Sequence, residues 1–171
     1  MTVEERGKKI KLLVMDIDGT LTDAAMYYTN DGEFMKRFST RDGMGVTLLR
    51  RVGIECAIIT SENSEIARKR GEKLKIKHII LGSHDKSTSL AELAPNLSIP
   101  MEAIAYIGDD VNDGPVMRLC GLAGCPSDAV DAIKEIAHYQ CQASGGNGAV
   151  REFAELILRS QGQPVILPER W

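Results

Sequence analysis

Five short apolar runs recur along the chain: residues 10–15 (IKLLVM), 54–59 (IECAII), 78–81 (HIIL), 103–107 (AIAYI) and 121–124 (GLAG). Each is shorter than an ordinary helix and is apolar on both alternating faces, as a strand covered from two sides must be. The amphipathic segments between and after them, at about 43–52, 63–75, 85–94, 113–119, 128–136 and 148–160, read as helices. Strands alternating with helices in this way cannot pair through tight turns. They predict a parallel sheet joined by right-handed helical crossovers.

The expected fold is therefore α/β, a Rossmann-like three-layer sandwich with a central parallel sheet. At 171 residues the chain has the size of one ordinary domain, and residues 1–171 are read as a single unit. One segment breaks the rhythm. Residues 26–38 (MYYTNDGEFMKRF) place two β-prone arms around Asn30, Asp31 and Gly32, which predicts a hairpin flap over about 25–39. Residues 144–150 (SGGNGAV) read as a flexible Gly-rich stretch before the last helix, with the Gly-rich tail itself at about 144–148. The final GQPVILPERW, with two prolines, is expected to lack regular structure.

Charge and cysteine usage exclude several classes. A formal net charge of -3 supplies no basic footprint for nucleic acid or an anionic membrane. Cys56, Cys120, Cys125 and Cys141 form no C-x-x-C pair and have no histidine at zinc-ligand spacing. They read as free thiols in a reducing compartment. The charged start MTVEERGKK lacks the apolar core of a signal peptide, and no run reaches the length of a membrane span. A cytoplasmic location is the expectation.

Four polar signatures lie at the ends of four predicted strands: Asp16 and Asp18 after the first, Thr60 after the second, Lys86 after the third, and Asp109 with Asp113 after the fourth. In an open parallel sheet these ends share the edge at which ligands bind. Crowded carboxylates repel one another unless a cation compensates, so a hard ion such as Mg²⁺ is the natural occupant. Lys86 and the Thr60 hydroxyl would then meet the non-bridging oxygens of a phosphoryl group. Asp16 is placed to attack phosphorus, Asp18 to protonate the leaving alcohol and then activate water, and Gly19 to turn the chain and offer its N–H to phosphate. Taken singly, each piece has a plain structural reading: a D-x-D pair, a helix-capping Thr60, a solvated Lys86, an acidic helix start at GDDVND. A calcium loop beginning at Asp16 fails, because it would need Gly at Leu21 and Glu at Tyr27.

The combination DIDGT, IIT, Lys86 and GDDVND resembles the four signatures of the haloacid dehalogenase-like phosphatases over nearly the whole chain. That resemblance implies Asp16 as nucleophile and Asp18 as acid/base, the latter also lending a main-chain oxygen to Mg²⁺. It implies Asp109 as a metal ligand and Asp113 as the acid that orients the lysine or a metal-bound water. Family members usually carry a cap domain. Here 43 residues separate Asp16 from Thr60 and 25 separate Thr60 from Lys86, too few for one, so a capless member covered by a neighbouring subunit is expected.

GEFMKRFSTRDGMG (32–45) and GGNGAVREFAELI (145–157) are similar to the tetrameric sugar-acid phosphatases. These act on 3-deoxy-D-manno-octulosonate 8-phosphate or on nonulosonate 9-phosphates. Glu62, Arg70 and Lys73 in SENSEIARKRGEKL resemble the sugar contacts of the nonulosonate subgroup (KDN or N-acetylneuraminate, a sialic acid). The resemblance thus implies a nonulosonate 9-phosphate substrate, with the octulosonate ester as the alternative, a homotetramer, and Arg41 on the sugar carboxylate or phosphate across a subunit boundary. Asn147 stands where octulosonate enzymes commonly have arginine. Two readings of other classes stay open: a non-catalytic assembly module of a sialic acid cytidylyltransferase, and a receiver domain that is phosphorylated without turnover, though its residue order differs.

Overall fold

The computed structural model describes residues 1–163 and residue 165. In chain order its elements are α1 (Val3–Gly7), β1 (Leu12–Met15), β2 (Tyr27–Thr29), β3 (Gly32–Met35), α2 (Thr40–Arg51), β4 (Glu55–Ile59), α3 (Glu65–Lys73), β5 (His78–Ile80), α4 (Lys86–Asn96), β6 (Ile104–Ile107), α5 (Gly114–Leu119), β7 (Leu122–Cys125), α6 (Asp131–Lys134), β8 (Tyr139–Gln140) and α7 (Ala149–Ser160). Six strands form one sheet in the order β5-β4-β1-β6-β7-β8, every neighbouring pair parallel. All five strands expected from the apolar runs are present. The sixth, β8, has two residues, too few to leave a periodic signal. Of GQPVILPERW only Gly162, Gln163 and Val165 are described, and the expectation for its other residues lies outside the described ones.

Side chains alternate across each strand, so the continuous apolar runs feed two cores. Leu13, Met15, Cys56, Ile58, Ala105 and Ile107 pack on one face against Val46 and Leu49 of α2 and Val150, Phe153 and Ile157 of α7. Leu12, Val14, Ala57, Ile59, Ile104 and Tyr106 pack on the other against Leu90 and Leu93 of α4 and Val116 and Met117 of α5. Burying a large aliphatic side chain of this kind contributes roughly 1.5–3 kcal/mol, and β1, β4 and β6 supply such residues to both sides.

The chain leaves central β1 toward β4 and β5, then returns to the opposite side through β6, β7 and β8. The order reverses between β1 and β6, and a crevice opens at the carboxyl ends of strands flanking such a switch. Between β1 and β4 the described chain holds only the β2–β3 hairpin and α2. The hairpin is antiparallel with a register shift between Tyr27 and Tyr28, and its stem is closed by a bridge between Thr22 and Phe38. Cys56, Cys120, Cys125 and Cys141 are all buried and free. Among the described residues no helix is long and apolar enough to cross a membrane.

The Gly-rich stretch corrects an expectation. Residues 144–148 are a tight turn pressed onto the loop that follows β1. Gly146 N–H donates to the Thr20 carbonyl at 3.0 Å and Gly145 N–H to Asp128 Oδ1 at 2.9 Å. A Cβ on Gly145 would lie 1.9 Å from the Gly19 carbonyl oxygen. Glycine is there because two backbones touch.

Candidate active site

The loop after β1 is a turn closed on itself. The Ile17 carbonyl accepts the N–H groups of Thr20, Leu21 and Thr22, while the Ile17 side chain is buried in the core. Asp16 is held at the strand end by its own N–H, which donates to the Ile107 carbonyl on β6 at 3.1 Å. Gly19 has φ +82°, the left-handed region that favours glycine, and a Cβ there would sit 1.9 Å from Asp109 Oδ2. Its N–H donates to Thr22 Oγ1 at 3.2 Å. Gly19 therefore acts through its lack of a side chain, and the expected N–H for phosphate is already engaged within the turn.

Lys86 opens α4, whose N-cap Asp85 accepts from Ser87 and Thr88. Its Nζ lies 3.0 Å from Asp16 Oδ2 and 2.6 Å from Asp113 Oδ1. Asp113 is fully buried and every lone pair is in demand: Oδ1 also accepts the Tyr106 hydroxyl at 2.7 Å, and Oδ2 accepts the N–H groups of Asp109 at 3.0 Å and Asp110 at 3.4 Å. Such an acid orients what it touches. Tyr106, on β6 beneath the site, went unnoticed in the sequence because a tyrosine in AIAYI reads as core. Asp109 Oδ1 accepts the Thr20 hydroxyl at 3.1 Å. Thr60 is buried at the end of β4, and its Oγ1 accepts the Glu62 N–H at 3.4 Å, which leaves the hydroxyl hydrogen to donate.

Carboxylate oxygens of Asp16, Asp109 and Asp113 lie within 4.8 Å of one another. Burial, and then the Asp113 charge, push the Asp16 pKa up to about 7 against the pull of Lys86. Burial followed by Asp16 and Asp113 does the same to Asp109, also to about 7. Lys86 moves the other way: burial alone would lower its pKa, but Asp16 and Asp113 outweigh it and hold the ammonium charged. One cation is thus shared by Asp16 and Asp113, with the Asp109 carboxylate close beside them. Asp16 Oδ1 and Asp18 Oδ2 are buried without a partner, a costly state unless a ligand completes them. A hard divalent cation fits this donor set, held by Asp16 and Asp109 with Asp113 behind them.

A cleft of about 260 Å³ opens above these groups, lined by Asp16, Asp18, Thr60, Glu62, Asp109 and Asp110 among others. Across it Asn112 Nδ2 donates to Ser61 Oγ at 3.2 Å, tying the loop after β6 to the loop after β4. Not every expected residue reaches the cleft. Arg70 is committed inside the fold: its Nη2 donates to the Ser39 carbonyl at 2.9 Å and its guanidinium lies 5.5 Å from the centre of the Phe38 ring. Lys73 is exposed at the far end of α3. Arg41 lines a separate depression of about 310 Å³ with Arg37, Ser39 and Asn147. Of the three sugar contacts expected on 61–74, Glu62 alone lines the catalytic cleft of its own chain.

The family model for haloacid dehalogenase-like hydrolases matches residues 50–153. A 3-deoxy-D-manno-octulosonate 8-phosphate phosphatase of Yersinia pestis is 40% identical over 159 residues, covering 93% of this chain and 85% of that protein. Its counterpart in Escherichia coli K12 is 38% identical over 158 residues, covering 92% and 84%. Among solved structures, the Moraxella catarrhalis phosphatase of the same name, in complex with a magnesium ion, a phosphate ion and a KDO molecule, matches with TM-score 0.91 and 39% identity over 94% of this chain and 92% of that one.

Proposed function

The chain belongs to the haloacid dehalogenase-like hydrolases and is a phosphoric monoester hydrolase, and on that premise we propose that it removes the terminal phosphate of a 2-keto-3-deoxy sugar acid with Mg²⁺ as cofactor. One observation carries the reading: Asp16, Asp109 and Asp113 converge within 4.8 Å around a buried lysine, at the crevice where the strand order reverses. Asp16 Oδ1, unpartnered, attacks phosphorus; the bond to the sugar oxygen breaks and an aspartyl-phosphate forms. Asp18 gives a proton to the departing alcohol. It then takes one from water, which attacks phosphorus, releases inorganic phosphate and regenerates Asp16. Lys86 and Thr60 donate to the phosphoryl oxygens, and Asp113 with Tyr106 fixes Lys86 in reach. A bound Mg²⁺, held by Asp16, Asp109 and the Asp18 main chain, would withdraw charge from the phosphoryl group and neutralise the acids.

For the sugar, the first reading is the octulosonate 8-phosphate, supported by the likeness to relatives named as phosphatases of that ester. The nonulosonate 9-phosphate is the second reading, resting on Glu62 in the cleft, since Arg70 and Lys73 do not join it there. Among the described residues no basic side chain lines the cleft, and the two lysines beside it, Lys86 and Lys36, are taken up by carboxylates, so we further propose a homotetramer in which a neighbouring subunit brings Arg37 or Arg41 toward the substrate carboxylate. Exposed Tyr28 and Phe34 on the hairpin, 62% and 66% accessible, support such an assembly. Four free buried thiols agree with a cytoplasmic setting. Steady-state kcat/KM on the two sugar-acid phosphates, with and without EDTA, tests the proposal. The octulosonate ester is expected to lead by about tenfold or more, and a clear preference for the nine-carbon ester would reverse the order.

A further inference from the structure

The hairpin does more than project from the sheet. Lys36, on the strand's exit from the flap, has a fully buried side chain, and its Nζ lies 2.5 Å from Asp18 Oδ1 and 2.6 Å from Glu33 Oε1. The other oxygen of Glu33 accepts a hydrogen bond from Ser64, which is the N-cap of α3. A chain of polar contacts therefore runs from the head of a helix in the main sandwich, through the flap, to one oxygen of the acid/base aspartate. The second oxygen, Asp18 Oδ2, is buried and has no partner, while Asp18 lines the catalytic cleft.

We propose that Lys36 is a positioning residue for the chemical step: it holds Asp18 by Oδ1 so that Oδ2 is the oxygen that passes the proton. The inference rests on the reading of Asp18 as acid/base. An aspartate alone rotates freely about its side-chain torsions, and either oxygen would be as available as the other. With Oδ1 in a charge-assisted bond from a cation that water cannot reach, one orientation is selected and Oδ2 is left for the leaving oxygen or the attacking water. The same contact favours reaction over binding. Where Asp18 gives its proton to the sugar oxygen, negative charge grows on the carboxylate and the bond from Lys36 strengthens, so the interaction is larger in that transition state than before it; where Asp18 takes a proton from water, Lys36 contributes by orientation alone. Glu33 and Ser64 keep Lys36 itself from wandering. A lysine in a hairpin reads from sequence as a solvated charge; its burial here is the unusual fact.

The test uses full-length protein with Mg²⁺ and two substrates, octulosonate 8-phosphate, whose alcohol leaves poorly, and p-nitrophenyl phosphate, whose phenolate leaves without a proton. Lys36→Met is expected to lower kcat on the sugar-acid ester by about tenfold to a hundredfold with KM changed far less. In a rapid-mixing experiment with the aryl ester, the first burst of phenolate should survive while the steady rate after it falls, because only the later water step needs Asp18. Lys36→Arg should restore most of the loss. If Lys36→Met folds poorly, the double variant Lys36→Met/Glu33→Gln removes the stranded acid and carries the same test. Loss of burst and steady rate by one common factor, a change confined to KM, or no change at all would overturn the positioning role. Asp18→Asn separates the two levels: if it too is fully active, the acid/base reading fails, whereas its inactivity beside an unaffected Lys36→Met sinks this inference alone.

Discussion

At the scale of single residues, the site is a problem of charge. Three acids and one lysine share a buried volume, so Asp16 and Asp109 hold protons up to about pH 7 where an ordinary aspartate would lose them near 3.8. Between about pH 4 and 7 the folded, metal-free chain binds protons that the unfolded chain does not, and stability must fall as pH rises through that window. Metal acts in the opposite sense, since only the charged carboxylates ligate, and Mg²⁺ affinity should rise as pH increases toward 8. Thermal unfolding with EDTA and with Mg²⁺ from pH 5 to 8 checks both signs, and Asp109→Asn should flatten the metal-free trend. Tyr106→Phe removes one donor from Asp113 while Lys86 remains; a loss of about 1 kcal/mol in stability is expected, with kcat falling more than KM changes. Asp16, Thr60, Lys86 and Asp109 could be proposed from the sequence through their joint order at the ends of four predicted strands, since each alone has a plain structural reading, and the structure brings Asp16, Lys86, Asp109 and Asp113 together. Tyr106 and Lys36 could not be proposed in this way. A tyrosine inside AIAYI satisfies the pattern of a core strand, and a lysine in a hairpin satisfies that of a surface.

At the scale of elements, the same contrast decides which parts of the fold could be read ahead. β1, β4, β6 and β7 were visible because burial on both faces forces nearly uninterrupted apolar runs, and the half-buried edge strand β5 because Ile79 and Ile80 still reach the two cores. α1 carries a readable start as well, with Thr2 and Glu5 in a reciprocal capping box, but its five residues fall below the length at which periodicity speaks. α6 shrank from the expected 128–136 to Asp131–Lys134, since Pro126, Ser127 and Asp128 form a turn whose aspartate serves Gly145. The Gly-rich stretch misled because glycine suits both a loose linker and two touching backbones, and composition does not distinguish them. Gly145→Ala does: its new methyl group would meet the Gly19 carbonyl, so a destabilisation of about 1–3 kcal/mol and a displaced catalytic loop are expected. A melting temperature and turnover unchanged from wild type would return the stretch to the role of linker.

At the scale of the molecule, an open cleft and an apolar flap belong together. The described hairpin exposes Met26, Tyr27, Tyr28, Phe34 and Met35, more apolar surface than so small an element can leave in water without cost. If hairpins of neighbouring subunits cover one another, the double variant Tyr28→Ser/Phe34→Ser should shift the mass seen by light scattering from tetramer to smaller species and lower turnover on the sugar-acid ester. An unchanged mass would place the subunit contact elsewhere. Beneath these expectations stands the claim that Asp16 itself becomes phosphorylated. Rapid acid quench of enzyme turning over octulosonate 8-phosphate with Mg²⁺, followed by peptic digestion and mass spectrometry, addresses it directly. The peptide containing Asp16 should gain the mass of one phosphoryl group, with none gained in Asp16→Asn; with p-nitrophenyl phosphate, whose phenolate leaves without a proton, Asp18→Asn should retain more of it because only the water step is slowed. Rapid turnover with that peptide unmodified at every quench time, and with Asp16→Asn still active, would contradict the account.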